Sequence, residues 1–118
     1  MKKLLLLTFL SGITIFTVNA QTSAELVGKW KLVKWTKKGK AKEVPDSTYQ
    51  VFKDNNQFIS LAEGKEHKGK WKLSKDNKML TIRSGIFNVP FSIDYFDAKR
   101  RVITTDQMGT LEYQKVED

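Results

Sequence analysis

From Leu26 to Val116 the chain is written in short apolar alternations, each broken after about eight to twelve residues by Gly, Asn, Asp or Lys. Side chains on a strand alternate between its two faces, so this pattern predicts an all-β sandwich or barrel and no helix. The first predicted strand covers 28–35. Trp30 and Leu32 share one face with Lys29 and Lys31 opposite, while Val33 and Trp35 fall on the other parity, so a bend or bulge is expected near Val33. After a charged loop over 37–42 and a turn at 45–47, strands follow at 49–52 and 57–62, joined by a hairpin turn at 54–56. A turn at 63–65 leads to 68–73, the cleanest alternation, with Lys68, Lys70 and Lys72 on one face and Gly69, Trp71 and Leu73 on the other. The next strand covers 79–82. Phe87, Val89, Phe91, Ile93 and Tyr95 then alternate over one long strand, and Pro90 on its polar face predicts an edge, a bend or a bulge. Strands at 101–105 and 110–115 complete the set.

About eight strands with hairpin-length connections pair each with the next, and the simplest closed solution is a single up-and-down antiparallel β-barrel, which removes exposed sheet edges. Trp30, Leu32, Tyr49, Val51, Trp71, Leu73, Phe87, Val89, Phe91, Ile93, Tyr95, Leu111 and Tyr113 share the inward parity on this reading. A barrel of this strand number either fills with side chains or holds one small ligand, and the residues leave both open. The tyrosines favour a cavity, because a buried phenol needs a hydrogen-bond partner that a ligand or trapped water can supply. The candidate cavity residues are Trp30, Tyr49, Trp71, Phe87, Phe91, Tyr95 and Tyr113.

The first twenty residues read differently. Lys2 and Lys3 precede an apolar run from Leu4 to Leu10 that continues through Ile13, Ile15, Phe16 and Val18, and Val18-Asn19-Ala20 supplies a small-residue cleavage site. This is a signal peptide over 1–20, cut after Ala20, and the run is too short and too interrupted by Thr, Ser and Gly for a transmembrane span. No cysteine follows the cut to carry a lipid. The expected product is a secreted or periplasmic domain over 21–118. The whole chain carries 21 Lys and Arg against 13 Asp and Glu. With no cysteine, stability rests on packing rather than on disulfides.

A catalytic constellation is absent from the sequence, and no enzyme, metal site or cofactor is expected. His67 is the only histidine and sits in the polar segment 65–68, without a second ligand or positioned partner. Asp94, Asp97 and Asp106 lie where turns recruit Asp for local hydrogen bonds, and neither a glycine-rich phosphate loop nor a Gly-x-Ser-x-Gly setting occurs. The lysines of 29–42 and 68–72, with Trp35 and Phe52 nearby, look in part like a nucleic-acid surface. The signal peptide removes such a protein from nucleic acid, and lysines alternating with core residues are what a solvated outer face shows.

Leu26-Val27-Gly28-Lys29-Trp30-Lys31-Leu32 resembles the opening of the lipocalin-like domains common in secreted proteins of Bacteroidetes, and the wider calycin superfamily shares its Gly-x-Trp first strand. The Phe-x-x-Asn-x-x-Phe stretch from Phe52 to Phe58, the Gly-x-Trp-x-Leu strand from Gly69 to Leu73, and a closing strand with Tyr113 and Lys115 extend the resemblance over nearly all of 21–118. It implies a lipocalin-like barrel with one end closed by Trp30 beneath a basic side chain of the last strand, here Lys115 where Arg is more usual. It also implies non-catalytic binding of a small, mostly apolar molecule in the interior. The alternative is a filled barrel whose basic outer face engages an envelope protein or an anionic glycan.

Overall fold

Tight turns set the register. Lys38-Gly39 and Glu63-Gly64 hold both turn residues at positive φ, the hairpin geometry whose twist matches the flanking strands. The computed structural model describes residues 23–117, so the signal peptide expected over 1–20 lies outside the described residues. One helical turn, α1 (Ser23–Leu26), precedes β1 (Gly28–Lys37), β2 (Lys40–Lys42), β3 (Tyr49–Phe52), β4 (Gln57–Ala62) and β5 (Lys65–Leu73). Then come β6 (Met79–Ser84), β7 (Phe87–Phe96), β8 (Arg100–Thr105) and β9 (Gly109–Val116).

All neighbouring pairs are antiparallel, and β1 closes the sheet by pairing with β3 on one side and β9 on the other. The result is a closed eight-stranded up-and-down barrel, with β2 added as a short hairpin on the far end of β1. Two expectations are corrected here. The segment 37–42 is a strand pair and not a loop, since the two-residue turn at Lys38-Gly39 lets β2 fold back on Trp35 to Lys37. A helix does occur, among the described residues only as the single turn α1.

The pairing of β1 with β9 shifts by one residue between Leu32 and Lys34, so Val33 is a bulge and Trp35 regains the inward face opposite Leu111. A second shift lies between Ile93 and Tyr95. It turns Tyr95 outward and Phe96 inward, which the plain alternation of this strand does not foretell. Pro90 lies in the part of β7 that pairs with β6 alone, because β8 joins only from Ser92 onward. A residue without an N–H costs least at such a one-sided stretch.

Candidate ligand-binding site

Strand tilt in a closed barrel brings one inward residue of each strand to a common level. At the end where β1 begins, that level holds Trp30, Phe52, Phe58, Trp71, Leu80, Phe91 and Tyr113, all buried. The rings interlock: Phe52 lies 5.1 Å from Phe58 at a tilt and 5.8 Å from Trp71 edge-on, and Trp30 lies 5.8 Å from Phe96 at a tilt. This layer is a filled floor.

The chain before β1 seals it from below. Trp30 Nε1 donates to the Leu26 carbonyl at 2.9 Å, and Lys115 Nζ donates to the carbonyls of Glu25 and Val27 at 3.0 and 2.7 Å while lying 4.8 Å from the Trp30 ring centroid. These bonds take up carbonyls that the end of a one-turn helix leaves unpaired. Gly28 makes the crossing feasible: at φ 134°, a Cβ there would fall 2.5 Å from Lys115 Cε. The glycine of the Gly-x-Trp motif is thus the gap through which Lys115 reaches α1. Burial, reinforced by the Arg101 charge, holds the Lys115 ammonium below its ordinary range.

Above Trp30 sits a residue the sequence reading did not select. Arg101 is 0% exposed, with its guanidinium carbon 5.0 Å from the Trp30 ring, 4.9 Å from Phe52 and 4.3 Å from Tyr113. Its Nη2 donates to Gln50 Oε1 at 2.7 Å, whereas Nε and Nη1 have no partner among the described residues. Three ring faces and one amide therefore hold this cation, without a carboxylate. Gln50 faces inward because Arg101 is there to receive it.

Burial raises the Tyr113 phenol to about 12 and lowers Arg101 to about 10. A phenol that keeps its proton longer in the folded chain stabilises the fold at low pH, and that contribution is lost as pH rises from about 10 to about 12. Arg101 runs oppositely: the cost of burying its charge is relieved above about pH 10. Tyr113→Phe is therefore expected to lose less stability than the parent between about pH 10 and 12, read by urea unfolding at each pH. An equal alkaline loss in both proteins would show that Tyr113 titrates as if exposed.

Beyond the floor the lining changes. Leu32, Ile82, Ile103 and Leu111 remain buried, but the inward positions of β4, β5 and β6 carry Ser60, Ala62, Gly69 and Ser84, all small and only partly covered. Val89 of β7 is half-buried opposite Ile82, and Trp35 stands at the same end with its Nε1 donating to the Met108 carbonyl at 2.6 Å. At the lip, Phe87 and His67 occupy inward positions yet are exposed. The floor is packed with rings, whereas toward the mouth the inward positions carry hydroxyls, a methyl and a glycine.

The predicted cavity residues separate on this framework. Trp30, Trp71, Phe91 and Tyr113 meet, but in the floor. Phe87 stands on the lip at 67% exposure. Tyr49 and Tyr95 do not face the interior. Tyr49 pairs with Lys31 and lies under Lys29 Nζ at 4.4 Å, so its ring covers the outer wall, and Val51 faces out with it. Gln50 and Phe52 take the inward positions of β3 instead, because they share the face of Trp30 across the ladder. The β7 bulge places Tyr95 outside, where its hydroxyl donates to Asp97 Oδ2 at 2.6 Å. No group of three or more His, Cys, Asp or Glu comes together among the described residues.

Residues 26–108 match the family described as Lipocalin-like domain. Among solved structures, a lipocalin-like protein from Bacteroides uniformis is 17% identical, with a TM-score of 0.66 over 78% of this chain and 99% of that one. An uncharacterized protein from Bacteroides eggerthii is also 17% identical, with a TM-score of 0.65 over 76% of this chain and 98% of that one. At these identities the likeness is one of fold. No curated protein matches the chain.

Proposed function

Because the chain belongs to the family of lipocalin-like domains, we propose that it binds a small, mostly apolar molecule in the mouth half of its barrel, without catalysis. The observation that carries this reading is the asymmetry of the interior. One end is packed with rings and closed by Trp30, Lys115 and α1, while the other presents Ile82, Val89 and Phe87 around small side chains. Such a lining offers contact area for an apolar body and a few hydroxyls for orientation, as small-molecule sites do. The ligand enters from the lip and rests on the floor. Secretion of residues 21–118 after cleavage at Ala20 is part of the proposal, and the mass of the released protein reads it directly.

Val89→Arg places a guanidinium where the ligand's apolar body would lie, and uptake of an environment-sensitive hydrophobic fluorescent probe should weaken about tenfold or more. Tyr95→Ala, on the outer wall, should bind the probe as the parent does. Val89 is half-buried near the lip, so the variant should keep its fold by circular dichroism. Undiminished uptake by a folded Val89→Arg protein would place the probe elsewhere and contradict the proposal.

A further inference from the structure

β6 and β7 run past β8 at the mouth. β5 pairs with β6 only from Lys70 and Arg83 to Leu73 and Leu80, and β8 pairs with β7 only from Ser92 onward. The pairing of β6 with β7 nevertheless continues out to Ser84 and Phe87. The tip Ser84-Gly85-Ile86-Phe87 therefore extends beyond β8 on one side, while on the other β5 continues beside it to Lys65. It is apolar, with Ile86 94% exposed and Phe87 67%. The turn does not require this, since Gly85 supplies the positive φ and a polar residue would serve at 86 equally well. Two large apolar side chains held in water on a projecting tip mark a contact surface.

The outer face behind the tip is cationic. Arg83 lies two residues back on β6, Lys70 sits across from it, and Lys68 follows on β5 with its carbonyl held by the Ser84 hydroxyl at 3.0 Å. None of these three is in an ion pair among the described residues. From Lys68 to Ile93 the sequence contains one acid, Asp76, in the turn at the opposite end of β6. Glu66 is the nearest carboxylate on the same face, one outward position beyond Lys68. At about 3.4 Å per residue Arg83 and Lys70 stand roughly 10 Å behind Ile86, and Lys68, beside Ser84, stands nearer, all within about one Debye length at physiological salt.

We propose that this hairpin tip is a contact site for an anionic lipid surface, with Ile86 and Phe87 entering the acyl boundary and Lys68, Lys70 and Arg83 meeting headgroup phosphates. The order of the groups selects this partner. Along the hairpin the apolar residues come first and the cations one layer behind, which is the order of acyl chains and phosphates met by a residue entering a bilayer. A glycan offers no apolar interior to receive an isoleucine. This inference does not depend on the ligand proposal, although it turns the mouth of the barrel toward the lipid.

The test uses the protein as cells expressing the full-length gene release it. It is floated with vesicles of phosphatidylcholine alone or of phosphatidylcholine mixed with phosphatidylglycerol. Binding is expected on the anionic vesicles only and should fall steeply as salt is raised. Ile86→Ser/Phe87→Ser should weaken it about tenfold or more, and Lys68→Gln/Arg83→Gln about tenfold. All four side chains lie at the surface or in a turn, so both variants should melt with the parent. Phe87→Trp emission should shift to the blue on anionic vesicles. Absence of binding, equal binding to neutral vesicles, undiminished binding by Ile86→Ser/Phe87→Ser, or an unmoved Phe87→Trp emission would each overturn the proposal. So would competition by a soluble sulfated polysaccharide that the tip variant binds as tightly as the parent, which would assign the cations to a glycan.

Discussion

Trp30→Ala is expected to remove about 3–5 kcal/mol of folding stability, much of the 5–15 kcal/mol that holds a domain of this size together. The residue is 0% exposed, and its ring lies against Phe96, Arg101 and Lys115. Truncation opens a void in the floor, removes the bond from Nε1 to the Leu26 carbonyl, and uncovers a buried guanidinium that already has two unpartnered nitrogens. The three losses share one site and will not simply add. Trp30→Phe keeps a ring against Arg101 and should lose less than half as much. Chemical unfolding measures both. A Trp30→Ala protein within about 1 kcal/mol of the parent would mean that the floor does not organise the barrel.

Gly69→Ala is the second large effect, and it arises from backbone geometry. A Cβ at Gly69 would lie 2.2 Å from the Arg83 carbonyl oxygen and 3.1 Å from its carbon. The obstacle is main chain of β6, so no rotamer change relieves it, and β5 must part from β6 near Arg83. A loss of about 3 kcal/mol is expected, at the upper end of what overpacking costs. Gly64→Ala is the control: the space is open, and only the positive φ of 80° opposes the new side chain, so about 1 kcal/mol should be lost. Equal melting temperatures for the two variants would contradict this account of Gly69. The close approach also explains why an inward position of β5 carries no side chain.

Much of the fold was legible because its signals are local. Strand positions follow from period-two alternation between turn residues, and the bulge at Val33 was readable because Trp30 and Leu32 clash in parity with Trp35. The site was less legible, for reasons that lie outside any short window. On β3, Tyr49 and Val51 look the better core pair, yet the ladder from Trp30 to Gln50 decides the face, and Gln50 faces inward because of a partner 51 residues away. Arg101 alternates with Ile103, a pattern visible in the sequence, but a charged residue is rejected for a core unless the rings that receive it are known. The bulge that turns Tyr95 outward carries no residue signature, since Ile93-Asp94-Tyr95 reads as unbroken alternation. Phe87 obeys the parity assigned to it and still misses the core, because β7 outruns β8.

These shifts relocate the binding proposal from the tyrosines to the mouth half. Trp30, Trp71, Phe91 and Tyr113 form the surface on which a ligand would rest, while Ser60, Ala62, Gly69 and Val89 border the space it would occupy. The residues that are largest in the sequence thus serve the packing, and the small ones line the mouth half. Native mass spectrometry of the protein purified from its own host, followed by organic extraction, tests this most directly. The account predicts a reproducible small apolar adduct that is lost in Val89→Arg and kept in Tyr95→Ala. A protein that arrives without an adduct and takes up no hydrophobic probe would contradict it.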